Sequence, residues 1–317
     1  MSRVLNGTRP VKEAVAARVR AVVKELNYIP NNHARSLRSG RSNLFGILIS
    51  DVRNPFFPDL IEHFEALASE QGIDVTFANT GYSPQRLING LRRLLDRGVD
   101  GIAILTSELS EEVIQSIRTV KVPVVVLNQP VLVGKLPVIA VDYEPGFREA
   151  IDHLRMLGHN GIGFVSGPST LSSAMRRKEA FLQVMKDCGL TIQSEWLLEG
   201  DHTLNGGKIA ATRFFNLRSA PTAIICSNDL TAIGFIHMAN RLKRSIPEEV
   251  SVVGFDDIAM SEIVQPSLST LHLSRREIAA HAFFSLQRSE GKIKAPVSTV
   301  LPRLVIREST GAAPETG

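Results

Sequence analysis

From Asn43 onward the chain alternates short apolar runs with longer amphipathic stretches. The runs Leu44–Ile49, Asp74–Ala78, Gly101–Leu105, Val122–Leu127, Val138–Val141, Gly161–Val165, Thr222–Cys226 and Val250–Phe255 are rich in β-branched residues. Each is too short for an ordinary helix, and such continuous apolar runs are expected of strands buried on both faces. Between them, Asp59–Gln71, Pro84–Arg97, Ser110–Val120, Gly146–Leu157, Met175–Cys188 and Leu230–Leu242 place apolar residues at helical spacing. The alternation predicts a doubly wound α/β fold with parallel sheets. Glycines in Leu157-Gly158-His159 and Cys188-Gly189 stand where a helix would end in a left-handed cap. The strands outnumber those of one ordinary sheet and fall into two groups of similar rhythm, 44–127 and 161–255. Two lobes are therefore expected, with a ligand at the carboxyl ends of the strands, facing the crevice between them.

Before Asn43 the texture changes. Val11, Ala14, Val15, Val19, Val22, Val23 and Leu26 form a helical stripe across 11–27, closed by Tyr28-Ile29-Pro30. Asn31 then offers a cap to a marginal helix through Arg38, and Ser39-Gly40-Arg41-Ser42 reads as a joint. This basic segment is too short to be stable alone and is a candidate to fold on binding.

Charge sharpens the contrast. The chain carries +4 overall, yet residues 1–42 hold nine Lys or Arg against Glu13 and Glu25, which leaves the body mildly acidic. A basic arm on such a body fits a binder of phosphate backbones, although a solvated basic helix or an anionic lipid surface would give the same balance. Hydrophobic residues make up 44% of 317, enough for two or more cores. Two isolated cysteines, Cys188 and Cys226, argue for reduced thiols in the cytoplasm rather than a disulfide framework. The sequence lacks an apolar run of membrane-spanning length and a secretory h-region, so no membrane partner is expected. Histidines and carboxylates show no metal-ligand spacing, and no Walker loop, dinucleotide fingerprint or nucleophile elbow is found; no cofactor, metal site or catalysis is expected. The segment 311–317 reads as a disordered tail.

Several blocks together carry a resemblance. Ser2-Arg3-Val4-Leu5-Asn6-Gly7, Leu26-Asn27-Tyr28-Ile29-Pro30-Asn31 and Ala34-Arg35-Ser36-Leu37-Arg38-Ser39-Gly40 are similar to the end of the recognition helix, the third helix and the hinge helix of the LacI/GalR (lactose-repressor) family. Downstream, Asp51–Phe57, Asp100-Gly101-Ile102, Asp142, Leu157-Gly158-His159, Gly167-Pro168, Arg177, Ser227-Asn228-Asp229, Val252–Asp257 and Leu301–Arg307 resemble the family's sensor domain in the same order. The resemblance implies a two-lobed, periplasmic-binding-protein-like sensor over 43–310, preceded by a small all-α segment, 1–42, made of a partial helix-turn-helix and a hinge helix. It places lobe boundaries near 43–142 plus 274–292 and 143–273 plus 293–310. In the family a helix-turn-helix begins upstream of the quoted Ser2-Arg3, so roughly twenty residues holding most base-edge readers would precede this start. A start codon assigned too late and a true truncation both fit.

What the resemblance implies for function is a ligand-responsive transcriptional regulator, read as a repressor, that binds double-stranded operator DNA of pseudo-palindromic sequence as a homodimer, with a tetramer left open. Ser2, Arg3 and Asn6 would lie on the recognition helix. Leu37 would be a wedge in the minor groove, Asn31, Ala34 and Arg35 would line the same surface, and Arg38 would reach phosphates. The alternative is that Leu37 packs on the neighbouring body.

For the sensor pocket the expected residues are Phe56, Phe57, Asn128, Ser173, Arg177, His202, Asn228 and Asp256. Arg177 would hold hydroxyl pairs or a carboxylate. Asp256, at the end of an apolar run, would accept from ligand hydroxyls; alternatively the two form a structural interlobe salt bridge. Asp229 is a plausible helix cap, which makes Asn228 the ligand residue. One of Phe56 and Phe57 would wall the ligand and the other join the core. His202 stands where the family often has a stacking aromatic ring, and Leu171 where purine-sensing members resemble one another in having Arg. These departures point to a sugar or sugar-derived polyol as the small-molecule effector. The competing function is a cytosolic effector-binding protein that no longer reads operators.

Overall fold

The computed structural model describes residues 11–26, 41–106, 110–129, 132, 136–288 and 297–314. The chain divides into two compact units, residues 1–43 and 44–317. In the first, helix α1 (Glu13–Glu25) occupies the expected helical stripe, with Glu13 in its first turn and Lys24 in its last, each matched to the helix dipole. Ala16 is buried, while Val15, Val22 and Leu26 stay exposed.

The second unit is built on two six-stranded sheets. Its elements are, in order, β1 (Leu44–Ile49), α2 (Phe56–Glu70), β2 (Asp74–Asn79), α3 (Pro84–Asp96), β3 (Gly101–Leu105), α4 (Glu111–Arg118), β4 (Val124–Leu127) and β5 (Val138–Val141). Then follow α5 (Glu144–Met156), β6 (Ile162–Ser166), α6 (Ser172–Asp187), a 3-10 turn (Ser194–Trp196), β7 (Leu197–Glu199), α7 (Leu204–Phe214), β8 (Ala223–Cys226) and α8 (Asp229–Arg241). The last are β9 (Ser251–Asp256), α9 (Met260–Ile263), β10 (Ser269–His272), α10 (Arg275–Arg288), β11 (Val297–Val300) and β12 (Arg303–Val305). The first sheet runs β11-β5-β4-β3-β1-β2 and the second β12-β10-β9-β8-β6-β7. Every pair is parallel except β12, which lies antiparallel to β10.

The central strands β3, β6 and β9 are buried along their whole length, which is why they read as unbroken apolar runs. Under the first sheet, Phe45, Phe64 and Phe283 pack edge to face and tie β1 to α2 and α10. In the second lobe Phe164 and Phe181 stack 4.7 Å apart between β6 and α6. The two predicted glycine caps form: Gly158 and Gly189 take φ of +91° and +68°, and the residue after each donates back across the last turn, His159 to Leu154 and Leu190 to Met185. Helices α7 and α8 approach so closely that a Cβ on Gly207 would overlap the Thr231 carbonyl, and one on Gly234 the Leu204 carbonyl.

The chain passes between the sheets three times: after β5, after β10 and after β11. The last passage differs from expectation, because β11 pairs with β5 in the first sheet rather than joining the second lobe. A strand of only four residues, with just Val300 buried, gives no apolar run to mark it. The tail also differs. Gly311 donates to Ser251 Oγ and its carbonyl accepts from the buried His159 ring at 3.0 Å, while Ala313 donates to the Leu157 carbonyl at 2.7 Å. Small residues here let the backbone lie flat against the second lobe, so 311–314 is docked by hydrogen bonds that composition does not reveal. Among the described residues, no helix is long and apolar enough to cross a membrane.

Candidate functional site

The carboxyl ends of both sheets face one cleft, and all eight expected pocket residues line it: Phe56, Phe57, Asn128, Ser173, Arg177, His202, Asn228 and Asp256. Sequence reasoning missed Asn54, Tyr82, Thr106, Gln129, Tyr143, Ser172 and Leu273, which line it too. The cavity measures about 50 Å³, room for a few waters, so the lobes must part to admit anything larger. The eight DNA-side candidates, Ser2, Arg3, Asn6, Asn31, Ala34, Arg35, Leu37 and Arg38, lie outside the described residues.

The deepest feature is the pair of Arg177, in the second turn of α6, and Asp256, the last residue of β9, at 3.0 Å. Arg177 also donates to the Ser227 carbonyl at 2.5 Å, and its guanidinium lies 3.9 Å from the centre of the Phe255 ring. Burial opposes the charge on Arg177, but Asp256 and then Tyr143 outweigh it, so the guanidinium stays protonated. Both partners belong to the second lobe, which corrects the interlobe alternative: the pair braces one wall of the cleft. Asn54, from the loop after β1, lines the cleft opposite Asp256. Arg275, at the start of α10, donates to the Asp256 carbonyl and lies 3.7 Å from Asp59 of α2.

At the end of β8 the helix cap is Asn228, which also lines the cleft, and not Asp229. Asn228 is the cap: its Oδ1 accepts from Thr231 N at 3.0 Å, and its Nδ2 donates to the His202 carbonyl at 3.0 Å. Asp229 instead points inward, where Thr270 and Ser261 hydroxyls and Ile258 N donate to it. Burial, reinforced by the charge of Asp256, pushes its pKa up to about 7. Adjacent polar residues after a strand both satisfy the composition of a cap, so the sequence does not discriminate between them.

His202 is buried in a left-handed conformation, φ +63°, with Nε2 2.5 Å from Ser227 Oγ. Its ring fills the space above Gly167, where any Cβ would overlap it. Burial and then the charge of Arg177 push its pKa down to about 3, so the ring is neutral. Asn128 also has positive φ, +54°, which Asn tolerates better than most residues. Its Nδ2 donates to Tyr143 Oη at 3.0 Å; its Oδ1 accepts from Val141 N at 3.3 Å and, from the other lobe, Arg176 Nη1 at 2.6 Å. Phe56 and Phe57 meet edge to face at 5.4 Å and both are buried and line the cleft, so the expected division into wall and core does not hold. Leu171 is buried just before α6 and is not one of the lining residues.

Two sheets joined by three passages, with a braced charge pair and polar side chains facing a closable cleft, define a two-lobed small-molecule sensor. Comparison with known proteins carries this further. The family described as periplasmic binding proteins and sugar binding domain of LacI family matches residues 42–288, and bacterial regulatory proteins, lacI family, matches residues 1–31. The HTH-type transcriptional repressor PurR of Vibrio vulnificus (strain CMCP6) is 31% identical over 312 residues, covering 98% of this chain and 93% of that protein. The HTH-type transcriptional regulator DegA of Bacillus subtilis (strain 168) is 30% identical over 315 residues, with coverage of 98% and 93%. The Lac repressor dimer bound to operator and the anti-inducer ONPF superposes with a TM-score of 0.87 at 25% identity, covering 98% of this chain and 94% of that one. The chain belongs to the LacI family. It is a ligand-responsive, DNA-binding transcriptional regulator and not an enzyme; the reading as an effector binder without operator recognition is not favoured.

Proposed function

We propose that the protein acts in the cytoplasm as a homodimeric repressor of a pseudo-palindromic operator, and that a sugar or sugar-derived polyol in the interlobe cleft sets its affinity for DNA. The observation that carries this reading is the convergence of Arg177, Asp256, Asn128, Ser173 and His202 with Phe56 and Phe57 on one closable cleft. Such a wall offers donors and acceptors to hydroxyls and an apolar face to a sugar ring. The likeness to a Lac repressor dimer bound to operator and anti-inducer supports both halves. Ligand would change the population of lobe orientations; the first lobe carries the hinge segments, and their spacing would decide whether Leu37 and its neighbours fold on DNA. Asn228 acts through the cap and through His202, positioning the wall.

Fluorescence anisotropy of a labelled palindromic operator, with the full-length protein titrated with sugars, tests the proposal. A sugar that shifts the operator-binding curve at low salt is the expected result. Absence of operator binding by the full-length protein at low salt would overturn it.

A further inference from the structure

One corner of the cleft is not balanced as the Arg177–Asp256 wall is. Strands β3 and β4 are neighbours with Ile104 opposite Val126, so Thr106 and Asn128 stand side by side two residues further on, with Gln129 next to them. Thr106 and Gln129 are 2% and 6% exposed, and both line the cleft. Thr106 Oγ1 and Gln129 Nε2 find no hydrogen-bond partner among the described residues. Over the same corner, from the opposite lobe, lies half-buried Arg176. Its Nη1 donates to Asn128 Oδ1 at 2.6 Å and lies 3.5 Å from the Asn128 carbonyl, both neutral oxygens. Among the described residues no carboxylate forms an ion pair with Arg176, whereas Arg177 beside it is matched by Asp256.

Buried polar groups left without partners cost free energy, and a cation pulled partly out of water against neutral acceptors costs more. The Thr106 hydroxyl and the Gln129 amide flank Asn128 at the rim of the cleft, and the Arg176 guanidinium is bonded to Asn128; such a set suits an oxyanion, to which the first two would donate hydrogen bonds and the third charge-assisted ones. A neutral hydroxyl would satisfy one of these groups and leave the cation unmatched. We propose that the effector is a sugar derivative bearing an oxyanion, a carboxylate or a phosphate, and that this group seats among Thr106, Gln129 and Arg176, taking the guanidinium from Asn128. The hydroxyl-bearing remainder faces Arg177 and Asp256. This rests on the sugar reading above and names the chemical class within it.

Matched ligand pairs test it on the full chain by titration calorimetry: gluconate against glucitol, glucuronate against glucose, galacturonate against galactose, and glucose 6-phosphate against glucose. At least one oxyanion member is expected to bind tenfold or more tightly than its neutral mate; which pair does so separates a carboxylate from a phosphate. Arg176→Met should bring that ratio to about one, and Arg176→Lys should keep most of it. Thr106→Val, which removes a hydroxyl without a charge, should lower it several-fold and serves if Arg176→Met does not fold. Neutral mates that bind as well as or better than their acids in every pair that binds overturn the oxyanion corner while leaving the sugar reading intact. An undiminished ratio in Arg176→Met also overturns it. A chain that binds none of these compounds loses both the corner and the sugar reading, whereas the operator assay judges the repressor reading separately.

Discussion

Lowering the pH from 7 to 5 should destabilise the second lobe through His202, and the magnitude follows from its burial. The ring is held neutral in the folded protein, with its pKa pushed down to about 3 from an ordinary 6.5. Between those values the unfolded chain binds a proton that the folded chain does not, so stability is full above pH 6.5 and is lost as pH falls. At pH 5 the unfolded imidazole gains about 1.5 pH units of protonation free energy, or about 2 kcal/mol. His153 and His159, whose pKa values burial also lowers, add a slope of the same sign, and Asp229, with its pKa raised to about 7, adds one of the opposite sign, so the contribution of His202 must be taken by difference. His202→Gln retains an amide for Ser227 Oγ and removes the titration. Urea unfolding followed by Trp196, the only tryptophan and a buried residue of the same lobe, reports the stability of both proteins at each pH. The variant should lose about 2 kcal/mol less than the parent between pH 7 and 5. Equal losses would refute the reasoning, since they would mean that the folded protein accepts the proton as readily as the unfolded chain.

Three further outcomes are expected. Arg177→Met strands the buried Asp256 carboxylate and should cost roughly 3–5 kcal/mol in the same unfolding assay, with loss of sugar response on the operator; Arg177→Met with Asp256→Leu should recover much of the stability and none of the response. Gly234→Ala drives a Cβ into the Leu204 carbonyl at the α7–α8 contact and should cost roughly 1–3 kcal/mol, seen as a lower melting temperature; an unchanged melt would refute the close approach. Truncation after Thr310 removes the hydrogen bonds at Gly311 and Ala313 and should cost about 2–3 kcal/mol by urea titration. No loss would restore the disordered-tail expectation.

The buried central strands were legible because burial on both faces leaves an unbroken apolar run, as in β1 and β9. The strands β7, β10, β11 and β12 were not. They are three or four residues long, all but β10 lie at sheet edges, and Ser269–His272 or Arg303–Val305 carries no pattern distinguishable from a loop. In the cleft, the residues shared with a known family were named in advance, but Thr106, Gln129 and Tyr143 were not, although each closely follows a strand. The rule that ligands sit beyond strand carboxyl ends marks such positions, and it would have found these three. Arg176 needed the structure, because its role depends on a partner in the other lobe.

The placement of β11 bears on how the protein is made. The first sheet lacks its outermost strand until residues 297–300 emerge, roughly 160 residues after β5. At ribosomal speeds of about 5–20 residues per second, β5 waits on the order of ten to thirty seconds with its outer row of amides and carbonyls unpaired. Neither lobe is a contiguous stretch of chain, so a nascent polypeptide halted anywhere before Val300 holds a first lobe with an open edge, a template for misassembly with its neighbours on a polysome.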